Sequence, residues 1–129
     1  MKGKLLVALL ALAAVYAAGD ASSRKQAMDQ AQEWKDDLKD ALDAREGPKA
    51  AALARKLAGA GARETAYWKR AGQEDARKLA ADNLEASRQV VRAAKAGRFD
   101  QANQAYGRLE ATCRACHDLH PEKRPPHRP

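Results

Sequence analysis

The chain has 129 residues, of which 45% are hydrophobic and only 5% aromatic, and it carries a formal charge of +7. That size bounds it to one small domain. A basic balance alone points to nucleic acid or a membrane surface, but here the charges are interspersed with acids and read as solvated helix faces. No pair of carboxylates stands on an apolar face and no Ser/His/Asp set is present, so no enzyme chemistry is indicated.

The first element is a leader. Residues 1–19, "MKGKLLVALLALAAVYAAG", open with Lys2 and Lys4, run apolar from Leu5 to Ala18 and end in small residues. This is the layout of a secretory signal peptide, with cleavage expected after Ala17 or Gly19. The apolar run is shorter than the ~20 residues of a membrane span, so no transmembrane anchor is expected after cleavage. The mature chain would be exported, to a periplasm-like compartment, with a charge of about +5 once Lys2 and Lys4 are gone. An exported chain rarely meets nucleic acid, and none is expected as a partner.

Residues 20–120 divide into four helical pieces of similar length. The first, Ser22 to Arg45, opens with Ser23 three residues before Gln26, the spacing of a capping box. Its apolar positions Met28, Ala31, Trp34, Leu38, Ala41 and Leu42 share one helical face. The stretch from Asp29 to Glu46 is also acidic, carrying Asp29, Glu33, Asp36, Asp37, Asp40, Asp43 and Glu46. Gly47-Pro48 stops that helix and starts the next, proline being favoured in a first turn. The second piece runs to Ala71 and contains Gly59 and Gly61, each about 1 kcal/mol worse than alanine inside a helix. One continuous helix is still expected, because its length matches its neighbours. The third piece, Gln73 to Ala96, places Ala76, Leu79, Ala80, Asn83, Leu84, Ser87, Val90, Val91 and Ala94 on its inner face and ends at Gly97.

In the fourth piece Phe99, Ala102, Tyr106, Leu109, Cys113, Cys116 and His120 step by alternating threes and fours, the seam of a bundle helix. Pro121 ends it, and residues 121–129, "PEKRPPHRP", read as a flexible basic tail. No stretch has the alternation of a strand. The expected fold is all-α, an antiparallel up-down-up-down four-helix bundle. Its core is thin: beyond the residues named, Leu53, Leu57, Tyr67, Trp68 and Leu119 complete the large apolar inventory, there is no isoleucine, and alanine does the rest. Something apolar beyond the chain's own side chains is expected to fill the centre.

The two cysteines stand in "EATCRACHDLH". A thioredoxin-type disulfide wants a βαβ context, which is absent. Zinc held by Cys113, Cys116, His117 and His120 would need four side chains along roughly 10 Å of helix to converge on one ion at about 2.0–2.3 Å. Two incidental core thiols would tend to oxidise in an exported chain. Cys-x-x-Cys-His is also the attachment signature of covalent haem. Two thiols three apart can add to the vinyl groups on one side of the porphyrin, and the next residue, His117, places an imidazole under the iron. Export and a thin core both agree with one haem c per chain, bound near the C-terminal helix.

With that motif, the layout resembles the cytochrome c-prime and cytochrome c556 group of class II c-type cytochromes. "AGRFDQANQAYGRLEATCRACHDLH" is similar to the family's last turn and haem helix, and "SSRKQAM" to the part of its first helix that covers the other haem face. The resemblance implies that Arg24 pairs with a haem propionate and that Met28 is the distal iron ligand. It also leaves open a homodimer through the helices. Pro121 stands where family members often keep a basic residue one turn after the haem histidine.

Two functions stay open. With His117 and Met28 as axial ligands the protein would be a single-electron carrier, its redox partner proteins unnamed by the sequence. With Met28 as mere packing, the iron would be five-coordinate and bind nitric oxide or carbon monoxide, as in family members with an apolar residue there. Trp34 and Trp68 read as packing. His120 shares the haem helix and cannot reach the opposite face, and His127 lies in the tail.

Overall fold

In the computed structural model the backbone is described for residues 2–121 and the side chains for residues 23–121. Four helices follow one another: α1 (Lys2–Asp43), α2 (Gly47–Arg70), α3 (Glu74–Lys95) and α4 (Phe99–Leu119). Among the described residues there is no strand, and no helix is long and apolar enough to cross a membrane. The side chains of residues 1–22, the expected leader among them, and residues 122–129 with His127 lie outside the described residues.

Helix boundaries match the expected ones within two residues, except at the start of α1. The helix does not begin at Ser23 but runs through it from Lys2, so the Ser23/Gln26 capping box is not formed. The upstream stretch is built of leucine and alanine, strong helix formers with no proline among them, and in the full chain nothing interrupts the helix before Ser23.

The three connections share one geometry. Each of the first three helices ends in a Schellman turn: Glu46 N–H donates to Ala41 C=O, Gln73 to Trp68 and Arg98 to Ala93, all at 2.9–3.1 Å. The preceding residue in each is left-handed, Arg45 at φ 57°, Gly72 at 70° and Gly97 at 69°. Glycine takes that conformation freely, whereas an L side chain loses about 1–2 kcal/mol. At Arg45 the guanidinium lies 4.7 Å from the centre of the Phe99 ring, a contact that offsets part of the cost.

One end of the helix assembly is closely packed. Leu38 and Leu42 of α1, Ala50 and Ala54 of α2, Val90 and Ala94 of α3, and Ala102, Ala105 and Leu109 of α4 form one buried cluster. Small residues dominate it, so the backbones come close. Ser87 is fully buried there and donates to Asn83 C=O at 2.9 Å. Leu119, expected in the core, is instead 54% exposed. It is the last residue of α4 and lies off the seam that carries Cys116 and His120. A smaller cluster of Trp68, Ala76 and Ala80 sits at the other end, and between the two clusters the interior is not filled.

α2 is continuous through Gly59 and Gly61. At Gly61 the reason for glycine is a close approach: a Cβ there would stand 3.1 Å from Asn83 Oδ1 and 3.1 Å from Leu84 Cα of α3.

Candidate functional site

The unfilled interior is a cavity of about 90 Å³ walled by all four helices. α4 contributes Thr112, Cys113, Cys116 and His117; Cys113 and Cys116 belong to the seam predicted from its spacing, whereas His120, the last member of that seam, does not line the cavity. α1 contributes Met28, Ala31, Gln32 and Lys35; α2 contributes Leu57, Ala60, Gly61, Glu64 and Trp68; α3 contributes Leu79, Ala80 and Asn83. Small residues on α2 leave the space. The structure therefore brings Met28 to the same cavity as Cys113, Cys116 and His117, across most of the length of the chain.

Both cysteines are free thiols. Burial pushes the Cys113 thiol above the usual range, against a smaller opposing pull from the Lys35 ammonium and from a hydrogen bond donated by Asn83 Nδ2 to Sγ at 3.4 Å. The same amide donates to Thr112 Oγ1 at 2.9 Å, and the Thr112 hydroxyl donates back to Leu109 C=O at 2.6 Å. Asn83 thus ties α3 to α4 at the first cysteine. Cys116 is likewise pushed up, first by burial and then by the Glu64 carboxylate. A neutral thiol is the favoured form of both, as a low-polarity cavity requires.

Lys35 is the cavity's ammonium. Its Nζ lies 3.8 Å from Glu110 Oε2, and its backbone C=O accepts from the Tyr106 hydroxyl at 3.3 Å. Burial, followed by the Glu110 and Asp36 carboxylates, drives the ionisation of that hydroxyl well above the usual tyrosine range.

Arg24 lies beside the cavity and does not line it. It lines an adjoining groove of about 300 Å³ that shares Met28, Ala31, Ala60 and Glu64 with the cavity. Its Nη2 pairs with Glu64 Oε2 at 2.6 Å, and its guanidinium carbon stands 3.4 Å above the centre of the Tyr67 ring. Its Nε is buried without a hydrogen-bond partner. His120 stacks at a tilt on Trp68, centroids 4.7 Å apart, with Nε2 3.9 Å from Asp75 Oδ1. Trp68 lines the cavity, whereas Trp34 packs against the buried cluster at the other end.

Sequence reasoning did not single out Lys35, Glu64 or Thr112 as site residues. Lys35 carried a signal, since it falls seven residues after Met28 and hence on nearly the same face of α1. Glu64 carried none, because its position opposite Arg24 depends on how α1 and α2 are set against each other.

In donor chemistry the lining suits a porphyrin: two neutral thiols, an imidazole on the next residue, a thioether on the facing helix and mostly apolar walls. The cavity is smaller than the ~300–1,000 Å³ of usual small-molecule sites, and Met28 and Glu64 stand between it and the larger groove. α1 touches α4 only sparsely, whereas α2, α3 and α4 pack firmly in sequence, so that is the weakest seam. Among the described residues no three His, Cys, Asp or Glu side chains converge as a metal-ion cage. No protein-family model, curated protein or solved structure matches this chain.

Proposed function

We propose that this chain is an exported, periplasmic c-type cytochrome of the c-prime and c556 kind, an up-down-up-down bundle that carries one covalent haem and transfers single electrons. The observation that carries the reading is the meeting of Met28 from α1 with Cys113, Cys116 and His117 from α4 on one cavity. Bound haem supplies a one-electron couple at its iron. Cys113 and Cys116 would hold it through thioethers, with Asn83 keeping the Cys113 sulfur in place. His117 would offer its imidazole to one side and Met28 its soft sulfur to the other, a ligand that favours the reduced state. Leu57, Leu79 and Trp68 would keep water from the buried part of the site.

The second reading, a binder of nitric oxide or carbon monoxide, draws on one observation: Met28 also lines the adjoining groove, so it stands at the boundary between the two spaces, where its sulfur would be displaceable by an entering gas molecule. Visible spectra of the oxidised and reduced protein, with and without carbon monoxide, separate the two. For the carrier, the wild type is low-spin and takes carbon monoxide slowly or weakly. Met28→Leu keeps the volume, costs below about 1.5 kcal/mol in packing, and turns five-coordinate with ready carbon monoxide binding. Equal spin state and equal affinity in both proteins would make Met28 a packing residue and favour the gas binder.

A further inference from the structure

A second concavity lies away from the cysteine cavity, between α3 and α4. It is a groove of about 480 Å³ whose charged side chains are Arg92, Arg98 and Arg108, with Gln89, Gln101 and Gln104 as its polar walls and Ala93 and Ala105 beneath. No carboxylate lines it. Arg92 meets Glu85 at 3.2 Å, and Arg108 donates across the groove to Gln89 Oε1 at 2.6 Å. Arg98 precedes α4 and is exposed, at the positive end of that helix's dipole. Three exposed guanidiniums therefore share one channel, with Glu85 paired to Arg92 and Asp100 next to the lining residue Gln101 in the first turn of α4. Six of the chain's seventeen acids stand on α1 from Asp29 to Asp43; α3 and α4 carry seven, but none of those seven lines the groove.

We propose that this α3/α4 groove is a docking site for an extended acidic segment of a partner protein. Guanidinium forks match carboxylates in two-point hydrogen bonds, and three of them in one groove can meet several carboxylates of one extended segment, where a single small anion would leave some unmet. The glutamines choose between peptide and phosphate. Gln89 Oε1 already accepts from Arg108, but the amides of Gln101 and Gln104 each offer an acceptor as well as donors, which a peptide backbone can meet with its N–H groups and a phosphate chain cannot. The floor of Ala93 and Ala105 lets a backbone lie close. The site depends on the surface alone and not on what occupies the cysteine cavity.

The test uses the purified mature chain and poly-L-glutamate as probe, with inorganic polyphosphate for comparison. Glutamate polymer should bind with an affinity that falls as salt rises, and the triple variant Arg92→Gln, Arg98→Gln, Arg108→Gln should weaken it roughly tenfold or more. The side chains are on the surface, so thermal unfolding should stay near that of the wild type. A variant with the same charge change on α2 and α3 away from the groove, Arg55→Gln, Lys69→Gln, Lys78→Gln, should bind within about twofold of the wild type. Equal losses in the two variants would reduce the effect to net charge and overturn the proposal. So would groove-dependent binding that prefers polyphosphate, or a concentration-dependent dimer that the groove variant abolishes, which would make the occupant a second copy.

Discussion

The two ends of the helix assembly use the same kinds of residue to opposite effect. Around Leu38, Leu42, Val90 and Leu109, alanines at Ala41, Ala50, Ala54, Ala94, Ala102 and Ala105 draw the helices together until nothing remains between them. Around Met28, Gly61, Asn83 and Cys113, small residues on α2 leave a cavity. A small side chain closes a gap where both facing helices carry one, and opens a gap where the facing helix is held away. At the hollow end α2 and α3 meet at Gly61, but α1 touches α4 little, so space remains between those two. The lesson is that alanine content does not predict packing; pairing does.

The strongest way to break the contrast is to leave the hollow end unfilled for good. Cys113→Ser with Cys116→Ser should abolish cooperative unfolding and give a loosely packed helical state, with hydrogen exchange fast around Gly61, Leu84 and Thr112 and slower around Leu42 and Val90. A sharp thermal transition with a native near-ultraviolet signal would show that the hollow end needs no filling. Next come single truncations. Leu109→Ala, at a fully buried position, should cost about 2–5 kcal/mol in denaturant unfolding, and Leu79→Ala, beside the cavity, below about 2. Equal costs would erase the distinction between the ends.

A smaller effect is expected from Gly61→Ala. The new methyl meets the α3 backbone at Leu84, which cannot step aside as a side-chain tip would, so a loss of about 1–3 kcal/mol is expected. The same change at Gly59, where the nearest contact is the tip of Arg63 at 3.6 Å, should be neutral or stabilising. The smallest effect is on pH dependence. Both thiols are held neutral by burial, so their folded-state pKa values lie above the unfolded one. Their contribution is fully present below the unfolded thiol value of about 8.5 and is lost as pH rises toward the folded values. The helical state of the chain with free thiols, followed by far-ultraviolet ellipticity, should weaken above about pH 8.5, before Tyr106 ionises. A chain with both sulfurs in thioether linkage should not.

Much of this was legible in the sequence because punctuation and period were strong. Pro48, Gly97 and Pro121 fixed helix ends, and the threes and fours of α4 placed Cys113 and Cys116 on its inner seam. The start of α1 was not legible, since a capping box competes poorly with a preceding run of leucine and alanine. Gly61 looked like a weakness of α2, and only the distance to Leu84 shows it as a condition for α2 to approach α3. Arg24 was placed near the site, but its pairing with Glu64 depends on the setting of two helices, which periodicity within each helix does not contain.

The central claim is that the cavity between Met28 and Cys113 is filled by a haem bonded to the chain. Acidic organic extraction of the purified protein, followed by metal analysis and the mass of the Cys113–His117 peptide, tests it most directly. The account predicts that the haem stays on that peptide through both cysteine sulfurs, with one iron per chain. Haem that passes freely into the organic layer, or zinc found in place of iron, would contradict it.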